Sequence, residues 1–137
     1  MADSVLVVED GLTIITTALV ALAATAPKFA QWGVGTTAPD SADDDLEDKT
    51  GCNETPRVNN DYAVTTTSLD DDTVSAGALI TKTVGAAAIT EVGLFNAVGA
   101  GTPVDGDILF LRATFSAINL VVGNSIDFTI DTKFVPV

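Results

Sequence analysis

The sequence predicts a mainly β protein: an antiparallel β-sandwich of the jelly-roll or immunoglobulin-like kind with one N-terminal α-helix. From residue 62 onward, short segments rich in Val, Ile, Thr and Phe follow one another, and these residue types favour strands. Turn-forming Gly, Asn and Asp separate the segments, as in sandwich domains. In the last segment, residues 126–134, apolar side chains at 126, 128, 130 and 134 alternate with polar side chains at 127, 129, 131 and 133. That period of two is typical of a strand with one buried and one wet face.

An arm and a helix are predicted before the first strand. Asp10 is suited to cap a helix over about residues 12–26, where apolar side chains recur at helical spacing until Pro27 ends the pattern. Four threonines weaken its intrinsic propensity, so packing against the domain core has to hold it. The apolar arm in front of it consists of Val5, Leu6, Val7 and Val8.

A strand at residues 29–35 leads into a long acidic loop over about residues 36–61. The loop has two prolines, no apolar periodicity and a dense run of carboxylates. Loops longer than about 12–15 residues without secondary structure are uncommon in compact domains and are often functional. We therefore expect this loop to cross a surface or to contact a neighbouring molecule. Its contact candidates are Asp43, Asp44, Asp45, Glu47 and Asp48.

The remaining strands are predicted from composition and from the turns between them. Gly93, inside one of them, indicates a bulge or a close approach by a neighbouring backbone. Glu91 and Arg112 fall on polar positions of their strands, and this placement allows them to form an ion pair. If exposed, such a pair contributes only about 0–1 kcal/mol. The predicted strands cover residues 62–69, 74–84, 89–95, 108–115, 118–122 and 126–134.

Length and charge limit the classes of function. A chain of 137 residues with 47% hydrophobic residues fits one domain, residues 1–137, with a proper core. Nineteen acidic and six basic residues give a net charge of −13. This sign argues against nucleic-acid partners, which need Lys and Arg at phosphates, and against an anionic membrane surface. The start of the chain has no basic segment of the kind that begins a secretory signal, so we expect assembly in a cytoplasm.

The chain contains no histidine, which argues against most enzymes. Histidine is the usual general base near neutral pH and the commonest metal ligand. Cys52 is the only cysteine, and its polar neighbours indicate an incidental surface residue rather than an activated thiol. We therefore predict no enzymatic activity, no cofactor, and neither catalytic nor metal-binding residues.

Two acidic clusters could also be interpreted as calcium sites. Residues 43–48 carry enough carboxylates, but they lack the Gly and the distal Glu of an EF-hand loop. Residues 70–72 are three aspartates in a predicted turn between strands. Solvated acidic loops are the favoured interpretation of both.

Four segments resemble small structural proteins of tailed bacteriophages. They are Trp32-Gly33-Val34-Gly35-Thr36-Thr37-Ala38-Pro39, Ile89-Thr90-Glu91-Val92-Gly93-Leu94-Phe95-Asn96, Leu111-Arg112-Ala113-Thr114-Phe115 and Gly123-Asn124-Ser125-Ile126. Together with an acidic loop and a final alternating strand, they occur in the order of that pattern over about residues 29–134. Residues 46–60 have no counterpart in it.

The resemblance implies a non-enzymatic virion protein, most specifically a capsid decoration (cement) protein on the head surface. Its expected partners are the major capsid protein and copies of itself in a homotrimer, with no nucleic acid and no membrane. The arm Val5 to Val8 and the acidic loop are the expected contacts. The first alternative is a tail, collar or fibre-associated protein of the same particle. The second is a cell-surface module that binds carbohydrate or calcium.

Overall fold

The computed structural model describes residues 27–53, 57–69, 72–96 and 108–134, together with Thr16 and Ala18. Within these residues the chain forms seven strands in two antiparallel sheets, which confirms the mainly β prediction. The strands are β1 (Phe29–Gly33), β2 (Arg57–Asn59), β3 (Asp61–Thr65), β4 (Thr73–Thr81), β5 (Ala87–Phe95), β6 (Leu109–Leu120) and β7 (Ser125–Lys133).

The first sheet has the strand order β2-β1-β5-β6, and the second has the order β3-β4-β7. The chain passes between the sheets at Asn60, at residues 82–86 and at residues 121–124. Within a sheet, β3 and β4 are paired from Asp61↔Gly77 to Thr65↔Thr73. Strands β5 and β6 form the longest contact of the first sheet, with register shifts after Ile89 and after Leu94.

Side chains from both sheets meet in one hydrophobic core. Phe115 of β6 and Phe128 of β7 illustrate the contact, since their ring centroids lie 6.0 Å apart with a tilt of 54°. Such tilted aromatic pairs contribute about 0.5–1.5 kcal/mol beyond the area they bury. The buried members of this core are Ala30, Trp32, Cys52, Ala76, Ala78, Ile80, Ile89, Val92, Leu94, Leu120 and Phe128.

The alternation predicted for the last strand is confirmed. Phe128 is buried and Ile130 packs partly buried against the core, whereas Asp127, Thr129 and Asp131 are exposed. Strand β7 has this pattern because it is an edge strand whose second face is not covered.

Several strand predictions were wrong in their bounds: β1, β3 and β4 end at Gly33, Thr65 and Thr81, before the predicted ends at residues 35, 69 and 84. The sequence predicts a break between residues 115 and 118, but β6 is continuous over twelve residues, Leu109–Leu120. Ser116 and Ala117, which lie in the predicted break, belong to the strand at the place where its register with β5 shifts. The long loop predicted over about residues 36–61 is also shorter than expected, because Arg57–Asn59 forms β2 beside β1. Three residues are too few to show a periodic pattern.

The N-terminal predictions lie almost wholly outside the described residues. No helix is among the elements of the described chain, so the helix over residues 12–26 is not seen. Only Thr16 and Ala18 of it are described; both have helical backbone, and the Thr16 side chain is fully buried. The arm Val5, Leu6, Val7 and Val8 lies outside the described residues.

The single tyrosine offers a direct probe of the second sheet. Tyr62 on β3 packs partly buried against the core, and this burial raises its pKa to about 12 from the ordinary 10.0. We expect absorbance titration at alkaline pH to show phenolate formation near pH 12 in the folded protein. Because the folded pKa is the higher one, the neutral phenol favours folding below pH 10, and this contribution is lost as the pH rises toward 12. Titration with the ordinary pKa in native buffer would contradict this packing.

Candidate functional site

The outer face of the first sheet, which points away from the core, is covered by residues 34–53, which we call the covering loop. The loop backbone accepts a hydrogen bond from the sheet, since the Thr90 hydroxyl of β5 donates to the Gly35 carbonyl over 2.7 Å, and it is closed on itself where the Val34 N–H donates to the Asp48 carbonyl over 2.8 Å. As a result, β5 is buried on both faces from Ile89 to Phe95. The long acidic loop predicted from the sequence is thus an ordered layer on the sheet.

Glu91 of β5 lies beneath this loop and is fully buried. Three backbone N–H groups of the loop donate to its carboxylate: Gly35 to Oε1 at 3.1 Å, Asp48 to Oε1 at 2.9 Å and Glu47 to Oε2 at 3.1 Å. The Arg112 Nε on β6 donates to Oε2 at 2.7 Å. Both carboxylate oxygens are therefore satisfied twice, as a buried charge requires.

Arg112 extends the same network outward to the acidic residues. Its Nη1 donates to Asp43 Oδ2 at 2.9 Å, and its Nη2 donates to the Thr37 carbonyl at 3.1 Å and to Glu47 Oε2 at 3.2 Å. The guanidinium side chain is only 3% exposed. The predicted pairing of Glu91 with Arg112 is confirmed, but its predicted exposure is wrong. The pair is buried because the covering loop closes over it.

Two glycines make room for the buried carboxylate. A Cβ added at Gly33 would lie 2.8 Å from the Asp48 carbonyl oxygen and closer still to Glu91 Oε1. At Gly35 it would lie 2.6 Å from the Glu47 Cβ and 2.7 Å from Glu91 Oε1. Real Cβ atoms do not approach this closely, so both positions require glycine for space.

A small apolar cluster continues the covered face beside the ion pair. Leu46 of the covering loop and Phe95 of β5 are buried there, with Phe29 and Leu109 packed against them. A Cβ at Gly93 would lie 2.9 Å from Leu46 Cδ2, so the close neighbours of this glycine are side chains and not the neighbouring backbone that the sequence predicted. The loop is therefore held by apolar contacts as well as by charge.

The five acidic contact candidates have different surroundings. Asp43 and Glu47 bind Arg112, and the Glu47 Oε2 also accepts a hydrogen bond from the Thr37 N–H at 2.8 Å. Asp45 pairs with Lys49, and the Asp48 Oδ1 accepts the Gly51 N–H at 2.7 Å, so both stabilise the loop itself. Asp44 is exposed to solvent. Their role as contacts with a partner stays a prediction.

The loop carboxylates have lowered pKa values. A hydrogen bond from the Asp40 backbone, followed by the Arg112 guanidinium, lowers the pKa of Asp43. Hydrogen bonds from the Thr37 hydroxyl and N–H lower the pKa of Glu47, and Arg112 adds to this. Both side chains remain partly open to solvent, so these shifts describe local order in the loop more than global stability.

A second carboxylate organises the turn between β3 and β4. Asp72 is fully buried and accepts hydrogen bonds from the Thr67, Ser68 and Leu69 N–H groups at 3.0–3.2 Å. Burial alone would raise its pKa, but these bonds and the Thr73 hydroxyl lower it well below the ordinary value. Asp72 therefore binds its own turn: the predicted turn between strands is confirmed, but the prediction that its acids are solvated was wrong for Asp72, and residues 70 and 71 lie outside the described residues.

We expect the protein to resist mild acid, and to lose the order of the covering loop and of the β3–β4 turn in stronger acid. Asp43, Glu47 and Asp72 have folded pKa values below their unfolded ones, so their ionised forms favour the folded state. This contribution is complete above the unfolded values of 3.8 and 4.5, and it is lost as the pH falls through the lower folded values. Fluorescence of Trp32, the only tryptophan, is the measurement. Unfolding that begins above pH 5 would contradict it.

Cys52 is buried, so the prediction of a surface cysteine was wrong. Its thiol donates to the Lys49 carbonyl at 3.0 Å, and the Cys52 side chain joins the main core. The fully buried Lys82 donates from Nζ to the Cys52 carbonyl at 2.6 Å. Polar neighbours in sequence do not place a residue at the surface when the loop itself folds onto a core.

A concavity of about 440 Å³ opens between the covering loop and Arg112, and several acidic side chains line it. A second one, of about 280 Å³, shares Asp40, Asp43 and Arg112 with it. The Arg112 donors already bind carboxylates and a carbonyl, so the chemical role of the arrangement is to hold the loop in place.

Among the described residues, no group of three or more His, Cys, Asp or Glu is placed to hold a metal ion. No helix of the described chain is long and apolar enough to span a membrane.

The chain was compared with protein families, curated proteins and solved structures. No family model, curated protein or solved structure matches the chain. Function is therefore inferred from the geometry of the site and from the sequence segments that build it.

Proposed function

We propose that the chain is a non-enzymatic virion structural protein of a tailed phage, namely a capsid decoration protein that binds and stabilises the head shell. The observation that carries the proposal is the convergence of three sequence segments at one site. Gly33 and Gly35 of the first segment, Glu91 of the second and Arg112 of the third meet around a single buried ion pair. These segments are the ones that resemble phage structural proteins.

This convergence supports the resemblance because it explains why the three separate sequence segments occur in one protein: each contributes residues to the site of the same buried ion pair. Glycines in the first segment leave space, the Glu in the second supplies the charge, and the Arg in the third neutralises it and binds the acidic loop. A pattern of short pieces that meets at random places in the fold would have no such explanation. Together these residues fasten the acidic loop to the sheet, and a structural protein needs such a stable surface to bind its neighbours.

The proposal includes the β-sandwich architecture of the jelly-roll or immunoglobulin-like kind. The support for it is the core that both sheets share, including the Phe115–Phe128 contact between them. Packed sheets of this type typically keep about 10 Å between their backbones.

The proposed partners are the major capsid protein and further copies of this chain in a homotrimer. Head decoration requires many copies, each with an ordinary interface of about 1,200–2,000 Å² in total. The proposed contacts remain the arm Val5 to Val8 and the exposed part of the covering loop, where Asp44 faces solvent.

Copy number in purified particles tests this function. We expect quantitative mass spectrometry of particles to give this chain in a fixed and high ratio to the major capsid protein, with hundreds of copies per head. Particles assembled with a variant of this chain that lacks residues 1–8 are expected to carry fewer copies of it, with Asp127→Asn, on the exposed face of β7 and outside both proposed contacts, as the surface control. A few copies per particle would favour a tail, collar or fibre role instead. Absence from particles would contradict the proposal.

A further inference from the structure

Two chain crossovers lie side by side at one end of the molecule. Residues 82–86 connect β4 to β5, and residues 121–124 connect β6 to β7. The Lys82 N–H donates to the Asn124 carbonyl at 2.8 Å, and the Gly123 N–H donates to the Lys82 carbonyl at 2.9 Å. We call residues 83–86 and 116–124 the crossover end.

The crossover end carries no charge in a protein with a net charge of −13. No Asp, Glu, Lys or Arg occurs from residue 83 to 90 or from residue 113 to 126. Four large apolar side chains of this end are exposed instead: Val84 at 52%, Ile118 at 40%, Val121 at 58% and Val122 at 59%. Charge depletion together with exposed apolar side chains is the composition of a protein interface core.

The strand that leads into this end also lacks the charged side chains that usually protect an edge. Strand β6 ends the first sheet, and its residues 116–119 are exposed on both of its faces. Edge strands usually carry charges that prevent pairing with other chains. The other long edge, β7, has exposed Asp127, Asp131 and Lys133. On β6 the only charged residue is Arg112, whose side chain lies under the covering loop.

The charge distribution favours a second copy of this chain as the partner at this end. Like-charged copies repel one another across their acidic surfaces, and salt screens such repulsion only beyond about 8–10 Å. A basic partner would be drawn to the covering loop rather than to an uncharged end. The surface through which two copies meet must therefore be uncharged, and it must match an uncharged surface on the other copy.

We propose that copies of the chain contact one another through the crossover end. Apolar side chains of Val84, Ile118, Val121 and Val122 form the centre of that contact, and the acidic loops stay at its periphery or outside it. This inference rests on the proposed function only in that decoration by a homotrimer requires copies to be joined. It names the surface that joins them.

Sedimentation velocity of the purified chain over a range of concentrations tests this contact. We expect the wild type to self-associate, and Val121→Asp and Val122→Asp each to weaken association by about tenfold or more, because each places an unpaired charge in the contact. Ile108→Asp is the matched control: Ile108 is 63% exposed and lies just before β6, at the opposite end of that strand from the crossover end. It is expected to associate like the wild type.

Further measurements keep the test decisive. Trp32 fluorescence and thermal midpoints are expected to show that the variants fold, and Val84→Asp replaces any that does not. Higher salt is expected to strengthen association, because it screens repulsion between acidic copies. A monomeric wild type, equal weakening by Ile108→Asp, or dissociation by salt would each overturn the inference. A monomeric protein that still decorates heads would overturn this contact and leave the proposed function intact. An oligomer that is absent from all particles would overturn the proposed function and leave the contact intact.

Discussion

Replacing Glu91 with alanine is expected to destabilise the protein by about 3–5 kcal/mol, the usual cost of removing one partner of a buried ion pair. The substitution leaves Arg112 buried with its main counter-charge gone, and it leaves the Gly35, Glu47 and Asp48 N–H groups without their acceptor. Urea denaturation followed by Trp32 fluorescence measures the loss, and limited proteolysis is expected to show early cleavage in residues 34–53.

Two further variants give this result its meaning. Asp44→Ala removes an exposed acid of the same loop, and it is expected to change stability by no more than about 0.5 kcal/mol. The double variant Glu91→Leu with Arg112→Met removes both charges. Its loss of stability is therefore expected to be smaller than the summed losses of the single variants Glu91→Leu and Arg112→Met. Additive losses, or a Glu91→Ala protein as stable as the wild type, would contradict the account of this site.

Replacing Gly33 with alanine is expected to cost about 3 kcal/mol, the upper part of the range for overpacked sites. The added methyl group meets the Asp48 carbonyl oxygen at 2.8 Å and the Glu91 carboxylate at a shorter distance. Neither can withdraw without breaking the hydrogen bonds that fasten the covering loop. The same denaturation measurement applies, and loop cleavage is expected to accompany the loss.

Gly77 supplies the matched control for this substitution. It also lies within a strand, but a Cβ added there meets nothing within 4 Å. Gly77→Ala is expected to be neutral or to stabilise by about 0.5–1 kcal/mol, because alanine has less backbone freedom to lose on folding. If Gly33→Ala were tolerated as well as Gly77→Ala, the covering loop would not lie where we describe it.

The sequence predicted strands well where one face of the strand remains open. Strand β7 alternates because Phe128 faces the core while Asp127 and Asp131 face solvent, so its pattern reports its environment directly. The pairing of Glu91 with Arg112 could also be predicted from the sequence, because both residues are charged positions within otherwise uncharged strands.

The covered face could not be predicted, because periodicity does not say which loop lies on which sheet. A Glu within a strand looks exposed unless the layer above it is known. The glycines were the available signal: Gly33, Gly35 and Gly93 all lie where the loop or its anchors come too close for a Cβ. Cys52 was misplaced for the same reason, since its burial depends on the fold of a loop that has no periodic pattern of its own.

Electron cryomicroscopy of purified particles tests the proposed function most directly. We predict density for this chain at regular positions on the head lattice, in many copies, with two layers of strands and the crossover ends of neighbouring copies in contact. Particles whose heads carry no such density, while the chain is located in the tail or is absent, would contradict the assignment as a capsid decoration protein.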